Sequence, residues 1–504
     1  MTRLWTVPLP LAAGALSALG FAPLDLWPLT LVGVAVLVMS IERARTVRGA
    51  ALVGWLFGVG QFAVSLGWIA TAFTYQAAMP AFMGWVTVVL LAMFLALYPG
   101  IAAGLARAWP GGRVSRVLVF AAAWMLTEWL RGHVLSGFAW NPLGAAWLTV
   151  GGIALIAKWI GALGLSGLLV LAAGGAVLAG WHSLEMGYTL RRRAANLLIV
   201  IPVAAVAVLT VPPPAPLTGP LVHLIQPNLG QELKYDDPVV HIENYLALSR
   251  AALGPTPHRQ SIVIWSESAV LDLVAEQPAI RARLASILAP GDLLLFGGEA
   301  LIRNADGSPA AGTNSLYVLD STGRLLNRYD KAHLVPLGEY VPARPLMSRL
   351  GLTRLTPGSI DFLPGSGPRT LDLPGFPAAG IQICYEVIFP ANVVDEAHRP
   401  AWIVNISNDA WFGSWGPPQH LAQARLRAIE EGLPIARVTP TGISAVIDAN
   451  GRVVASLPQH VADTLTLRMP PPLPPTLFAR FAHWSSFAFG ALLLAAAIAL
   501  RRRI

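Results

Sequence analysis

Cysteine is almost absent from this chain: Cys384, within GIQICYEVIFP at 380–390, is the single thiol in 504 residues. No intrachain disulfide can form, which excludes a disulfide-built fold. Charge is scarce as well. Asp, Glu, Lys and Arg supply 12% of the residues while hydrophobic residues reach 55%, against a charged share of roughly 25% in soluble domains. A chain so composed is expected to be largely a membrane protein. Also missing are an internal repeat, a Walker loop, a dinucleotide fingerprint and any zinc-ligand spacing. No metal or cofactor is therefore expected, and the scattered histidines, His333 and His420 among them, read as polar structural residues rather than ligands.

The formal charge of +8 would suit a nucleic-acid partner, but its distribution argues otherwise. Between Pro213 and Pro475 there are 19 Lys/Arg against 23 Asp/Glu, a net of −4. The positive surplus lies wholly in the apolar remainder, so a nucleic acid is not expected.

What the chain does have is long apolar runs. Eight stretches have the length and composition of membrane spans: 5–22, 26–41, 50–72, 80–104, 117–131, 152–180, 194–211 and 482–500. Basic clusters fall between them in a regular way. Arg3, then Arg43, Arg45 and Arg48, then Arg107, Arg113 and Arg116, then Arg191, Arg192 and Arg193, and last Arg501, Arg502 and Arg503 each follow an even number of crossings. The positive-inside rule then predicts both termini in the cytoplasm and residues 213–475 on the far side. The first apolar segment could be a cleaved signal, but cleavage would break this alternation, so an uncleaved anchor is expected. Lys158 and Glu128, near or within predicted spans, are candidates for a polar cavity or an interface.

VPPPAPLTGP at 211–220 and MPPPLPPT at 469–476 are proline-rich connectors of the kind that mark domain boundaries. They divide the chain into a membrane domain at 1–212 with seven helices, an extramembrane domain at 213–475, and a C-terminal span with a basic tail at 476–504. Inside the second, LVHLIQPN, SIVIWSES, DLLLFGGEAL, NSLYVLD, GIQICYE, AWIVNISND and GISAVID read as strands. DSTG at 320–323 and DANG at 448–451 read as hairpin turns, and HIENYLALSRAAL and HLAQARLRAIEEG have helical spacing. The mixture predicts an α/β or α+β domain.

Three of these segments deliver a reactive residue near a strand end: Glu267 after SIVIW, Lys331 in NRYDKAH, and Cys384 after GIQI. Taken singly, each has a plain structural reading: a solvated carboxylate, a surface cation, a small buried thiol. Together they supply what acyl transfer through sulfur requires. A thiol needs a base at neutral pH, and a cation favours the thiolate and stabilises the oxyanion of a tetrahedral intermediate. If residues 213–475 face an oxidising compartment, a lone free thiol there also favours a chemical role.

The segments WSES, NRYDKAHLVPLGEYVP, ICYEVIFP and NISNDAWFG, in this order and spacing, resemble the nitrilase superfamily and its Glu–Lys–Cys triad. Joined to eight spans, and with GALSALGFAPLDLWPL and GFAWNPLG, the chain resembles the apolipoprotein N-acyltransferase family over nearly its whole length. The resemblance implies a multi-pass α-helical membrane domain plus an α/β nitrilase-like α-β-β-α sandwich. It implies Glu267 as general base, Lys331 as oxyanion stabiliser and Cys384 as the nucleophile that becomes a thioester, with the Tyr385 N–H completing the oxyanion hole. Glu339 matches a second active-site glutamate, and Tyr385 and Glu386 match positions important in the acyltransferases. Tyr235, in QELKYDD, stands where the family often has tryptophan.

The same resemblance implies partners and a place: a phospholipid acyl donor such as phosphatidylethanolamine, diacylglyceryl apolipoproteins as acceptors, a monomer without cofactor, and the bacterial inner membrane with the catalytic domain periplasmic. The loops 341–366 and 409–420 suit a wall or lid over an acyl chain, or equally plain loop packing. Two other functions stay open on the residues alone. Water as acceptor would make the chain a membrane-anchored amidohydrolase, and a ligand-binding transporter would need convergent polar residues or repeated halves in its spans, neither of which is evident.

Overall fold

The computed structural model describes residues 7–75, 80–185, 211–231, 237–254, 260–349 and 361–501. The candidate span 194–211, apart from Val211, the arginines at 191–193 and Tyr235 lie outside them. The chain separates into two compact units. One comprises Met1–Ala70, Phe82–Pro213 and Pro475–Ile504, the other Thr71–Ala81 and Pro214–Pro474.

The first unit is helical. Among the described residues, four helical stretches are long and apolar enough to cross a membrane: Val47–Ser65, Phe82–Ala108, Ala157–Gly180 and His483–Arg501. The other apolar candidates take other forms. Residues 5–22 yield the eleven-residue helix Pro8–Ala18 and 26–41 the seventeen-residue helix Trp27–Arg43. Candidate 117–131 lies inside the longer Arg113–His133, whose Arg113, Arg116, Glu128 and Arg131 dilute its apolar character. Candidate 50–72 ends its α-helix at Ser65 and continues as a 3-10 turn, Gly67–Thr74.

Large apolar side chains remain exposed along these helices, among them Trp85, Leu90, Leu492 and Trp484. Such a surface is stable only against an apolar medium. Helices meet where side chains are small: a Cβ on Gly60 would stand 2.0 Å from the Leu11 carbonyl oxygen. Close approach of this kind is what packs helices when burial from water supplies no drive.

Within this unit Glu128 and Arg131 are both buried, 3.6 Å apart. Arg131 donates to the Phe138 and Trp140 carbonyls at 3.0 and 2.7 Å, and Glu128 accepts from the Leu143 N–H at 2.8 Å. The pair thus pins the 138–143 loop to its helix and borders a small cavity with Gln61, Tyr98, Thr127 and Asn141. Lys158 is half-buried.

The second unit is built on two six-stranded mixed sheets. In chain order the strands are β1 Leu221–Gln226, β2 Ser261–Ile264, β3 Leu293–Arg303, β4 Pro309–Asp320, β5 Leu325–Asp330, β6 Thr370–Leu373, β7 Phe376–Ile383, β8 Trp402–Ile406, β9 Ile435–Val438, β10 Ala445–Ile447, β11 Val453–Ser456 and β12 Asp463–Arg468. One sheet runs β12-β1-β2-β3-β4-β5, the other β11-β10-β9-β8-β7-β6. Each has three parallel central strands, β1-β2-β3 and β7-β8-β9, with antiparallel neighbours outside.

Alternation decides which face does what. Val222, Leu224, Ile262, Ile264, Leu293 and Leu295 point inward to one core shared with Ala379, Ile381, Ile383, Val404, Ile406 and Val438 of the other sheet. The intervening Ile225, Val263, Leu294 and Phe296 bury against the helices Pro238–Leu253 and Pro278–Ala285. Helix Gly416–Glu431 serves the second sheet, its Arg425 and Arg427 bonded to the Gly451 and Ile388 carbonyls. The result is the α-β-β-α sandwich expected from the sequence. Both predicted hairpin turns form: DSTG joins β4 to β5 and DANG joins β10 to β11. β6, β9 and β12, too short or too polar to stand out, were not among the predicted strands.

Candidate active site

Glu267 follows β2, and three contacts fix its position. Trp265 Nε1 donates to Ser249 Oγ at 2.9 Å, and the Ser266 hydroxyl and Tyr245 OH lie 2.5 Å apart, tying the strand end to helix Pro238–Leu253. The third contact is with β3. A Cβ on Gly297 would stand 2.5 Å from Ser268 N and 2.7 Å from Glu267 Cα, so only glycine lets β3 lie this close. Lys331 leaves β5 with its N–H on the Asn314 carbonyl at 2.8 Å and its own carbonyl taken by the Gly365 N–H at 2.8 Å.

These side chains meet in a buried cluster. Lys331 Nζ stands 3.0 Å from Glu339 Oε1 and 3.4 Å from Glu267 Oε1. Asn314 Nδ2 reaches the same two oxygens, at 2.7 and 2.8 Å. The Val335 N–H holds the other oxygen of Glu339 at 2.8 Å. Two carboxylates can stay this close because one cation and one amide are shared between them. Burial alone would lower the Lys331 amine, but Glu339 and Glu267, with Cys384 and Glu386, outweigh it and raise it above the ordinary lysine value. Lys331 is therefore a fixed cation.

Cys384 opens a short 3-10 helix, Cys384–Ile388, directly after β7. Its φ of 52° lies in the left-handed region, a strained position for a side-chain-bearing residue. Burial pushes its thiol up, the Glu267 charge adds to this, and Lys331 and a Ser407 hydrogen bond act against it without prevailing. The sequence reading held that a neighbouring cation would favour the thiolate; here burial and the carboxylates outweigh that cation, so the resting sulfur keeps its proton. Attack then requires a base at the moment of reaction, and Glu267 is in electrostatic reach.

The remaining candidates have distinct surroundings. Glu386 is buried and accepts from Tyr329 OH, Ala332 N, His333 N and Ile383 N at 2.8, 2.6, 3.1 and 2.6 Å. It bridges the segments that carry Lys331 and Cys384. Burial pushes its carboxyl up to about 7, against the pull of those hydrogen bonds and Lys331. The Tyr385 ring sits with His333 and Phe389, ring centres 5.7 and 5.1 Å away. Of the two predicted wall loops, 350–360 lies outside the described residues, while Trp411 meets the edge of Tyr75 at 5.7 Å. Among the described residues no group of three or more His, Cys, Asp or Glu could hold a metal ion.

Sequence reasoning passed over Asn314 and a second buried cluster. The signal for Asn314 was the polar run Thr313–Asn314–Ser315 at the head of the apolar stretch LYVL in β4. Behind Cys384, Asp409 pairs with Arg437 at 2.6 Å and lies 3.0 Å from His420 Nδ1, while His420 Nε2 stands 3.1 Å from the Cys384 carbonyl oxygen.

The two mixed sheets and the buried Glu–Lys cluster beside a strand-end cysteine define a domain of the carbon-nitrogen hydrolase class. Residues 244–472 match the family model described as carbon-nitrogen hydrolase, and residues 13–175 match the apolipoprotein N-acyltransferase N-terminal domain. Curated relatives named apolipoprotein N-acyltransferase agree along the chain. The Bradyrhizobium diazoefficiens protein is 39% identical over 98% of this chain and 94% of its own length, that of Rhodopseudomonas palustris 36% over 98% and 94%, and that of Caulobacter vibrioides 37% over 90% and 86%. The chain belongs to the apolipoprotein N-acyltransferase family, membrane acyltransferases of the nitrilase superfamily. Among solved structures, an amidase from Nesterenkonia AN1 aligns with 51% of this chain and 93% of its own, at 17% identity and a TM-score of 0.37.

Proposed function

We propose that this chain N-acylates the N-terminal S-diacylglyceryl cysteine of apolipoproteins with an acyl group from a membrane phospholipid, in two half-reactions through Cys384. The observation that carries the reading is the buried Glu267–Lys331–Glu339–Asn314 cluster in electrostatic contact with the Cys384 thiol. In the first half-reaction Glu267 takes the thiol proton as Sγ attacks the phospholipid ester carbonyl. Lys331 and the Tyr385 N–H stabilise the oxyanion. Collapse breaks the ester C–O bond, the glycerol oxygen takes the proton back from Glu267, and a lysophospholipid departs. In the second, the lipoprotein α-amine attacks the thioester, Glu267 receives the amine proton, and the thiolate leaves and is reprotonated.

Glu339 and Asn314 hold Glu267 and Lys331 in place, and Glu386 fixes the Lys331 and Cys384 segments against each other. Tyr235, Tyr385 and Glu339 are the residues proposed to touch substrate. Phosphatidylethanolamine is the proposed donor and the working species a monomer. The proposed division is 1–212, 213–475 and 476–504, with the middle part periplasmic and both termini cytoplasmic at the inner membrane. The basic clusters and the apolar helices support that orientation.

Intact-mass analysis after exposure to phospholipid is the direct test. The full chain should gain one acyl-sized, hydroxylamine-labile adduct, and Cys384→Ala should gain none and give no triacylated peptide. Normal product from Cys384→Ala would sink the reading. The carbon-nitrogen hydrolase match favours a second reading, a membrane-anchored amidohydrolase with water as acceptor. Release of free fatty acid or ammonia in place of N-acyl peptide would select it.

A further inference from the structure

Behind the thiol lies a set of buried polar groups that the acyl-transfer scheme leaves without a task. Asp409, His420 and Arg437 are all fully buried, and so are Asn405 and Ser407 beside them. Arg437 on β9 stands opposite Asn405 on β8 in the sheet register and donates to its side-chain oxygen, while its Nη2 reaches Asp409 Oδ2 at 2.6 Å. Ser407 Oγ donates to Asp409 Oδ1 at 2.6 Å. His420, in the first turns of helix Gly416–Glu431, rests on this group through Nδ1, which is 3.0 Å from both Asp409 Oδ1 and Arg437 Nη2. Its other nitrogen is turned to the nucleophile's own backbone.

A carbonyl oxygen only accepts, so the 3.1 Å contact from Nε2 to the Cys384 oxygen assigns the proton to Nε2. Burial and the Arg437 charge hold His420 below the ordinary imidazole value, so in the neutral ring Nδ1 accepts from Arg437 Nη2, while the neighbouring Asp409 Oδ1 takes its hydrogen bond from Ser407 rather than from the ring. Burying an arginine–carboxylate pair costs several kcal/mol of desolvation unless its geometry is satisfied. Here the pair is anchored across two strands, and it orients one ring.

The consequence follows from peptide planarity. The Cys384–Tyr385 peptide is trans, so the Tyr385 N–H points opposite to the Cys384 C=O. Whatever fixes the carbonyl fixes that N–H. A hydrogen bond to the carbonyl also polarises the peptide and strengthens its N–H as a donor. Because Cys384 sits at positive φ, this orientation is not one the backbone would hold unaided.

We propose that His420, held by Asp409 and Arg437, is a positioning residue that aims and polarises the Tyr385 N–H toward the oxyanion of the acyl-transfer intermediate. This rests on the reading of Cys384 as acyl carrier given above. The test compares two reactions of the same sulfur in the full-length protein in phospholipid nanodiscs. Thioester formation from phospholipid passes through an oxyanion, whereas alkylation by iodoacetamide displaces iodide at carbon and makes none.

His420→Leu removes the donor. His420→Asn keeps an amide oxygen where Nδ1 stands, to accept from Arg437, but falls short of the Cys384 carbonyl, and it serves if the leucine variant does not fold. His420→Gln places an amide N–H near the Nε2 position. The expected result is a roughly 100-fold loss of acylation rate in the leucine or asparagine variant, the scale of losing one oxyanion donor. Alkylation should stay within about threefold of wild type, and glutamine should recover most of the acylation. Unchanged acylation, or acylation and alkylation falling in parallel, overturns the proposal. Failure of the wild-type chain to form any thioester would instead overturn the acyl-carrier reading, so the two failures are separable.

Discussion

Glu431 and Glu386 show what single buried carboxylates do here. Both are pushed up to about 7, burial being the main cause in each, although Arg399 pulls Glu431 the other way. Starting from an ordinary value of 4.5, each binds its proton more tightly in the folded chain than in the unfolded one. The stability so contributed is fully present below pH 4.5 and is lost as pH rises through about 7. For Glu431, away from the thiol, the whole effect amounts to about 3 kcal/mol at ~1.4 kcal/mol per pH unit. Glu431→Gln should therefore flatten the fall in melting temperature between pH 5 and 8 while acyl transfer is unchanged. An undiminished slope would refute the assignment. At the active site, Asn314→Ala removes the one amide shared by Glu267 and Glu339. It should lower kcat about 10- to 100-fold with a smaller effect on KM, because positioning of the base and cation is lost while substrate contacts remain. A change confined to KM would count against that role.

At the scale of elements, the ends of β2, β5 and β7 carry the chemistry, and what holds those ends is mostly not local. WSES is fixed by Ser249 and Tyr245 of a helix and by the bare backbone of β3 at Gly297. Gly297→Ala forces a Cβ to within 2.5 Å of backbone, so the β2 end must move. It should cost about 1–3 kcal/mol of stability and lower the rate of Cys384 acylation more than that of its alkylation, because Glu267 is displaced while the thiol segment is not. Equal effects on both rates would argue that the disturbance is general. The helix Gly416–Glu431 reaches the turn just after β7 through His420, on the Cys384 carbonyl, and Arg427, on the Ile388 carbonyl, which is why a residue with no local signature bears on the nucleophile's geometry.

At the scale of the whole molecule, the charge asymmetry predicts which surfaces a membrane-impermeant reagent reaches. The sole cysteine makes this simple to read. In a Cys384→Ala background, Ser308→Cys in the exposed β3–β4 turn should react with an impermeant maleimide on intact spheroplasts. Arg45→Cys, also exposed, should react only after the membrane is opened. The reverse pattern would invert the proposed topology.

Much of this was legible in the chain itself. Apolar length, proline-rich boundaries and short apolar runs bounded by turn residues depend only on which residues are neighbours in sequence, and so the helical unit, the α/β unit and strands such as SIVI and DLLLF could be read directly. Glu267, Lys331 and Cys384 were visible for the same reason, each at the end of a legible strand. What the tertiary structure alone decided were relations between distant segments: that Glu339 and Asn314 share the oxygens nearest Lys331, that burial outweighs the lysine and keeps the thiol protonated, and that Asp409, His420 and Arg437 converge behind Cys384. Desolvation and hydrogen bonding depend on which groups folding brings within about 3 Å, and no spacing along a chain states that.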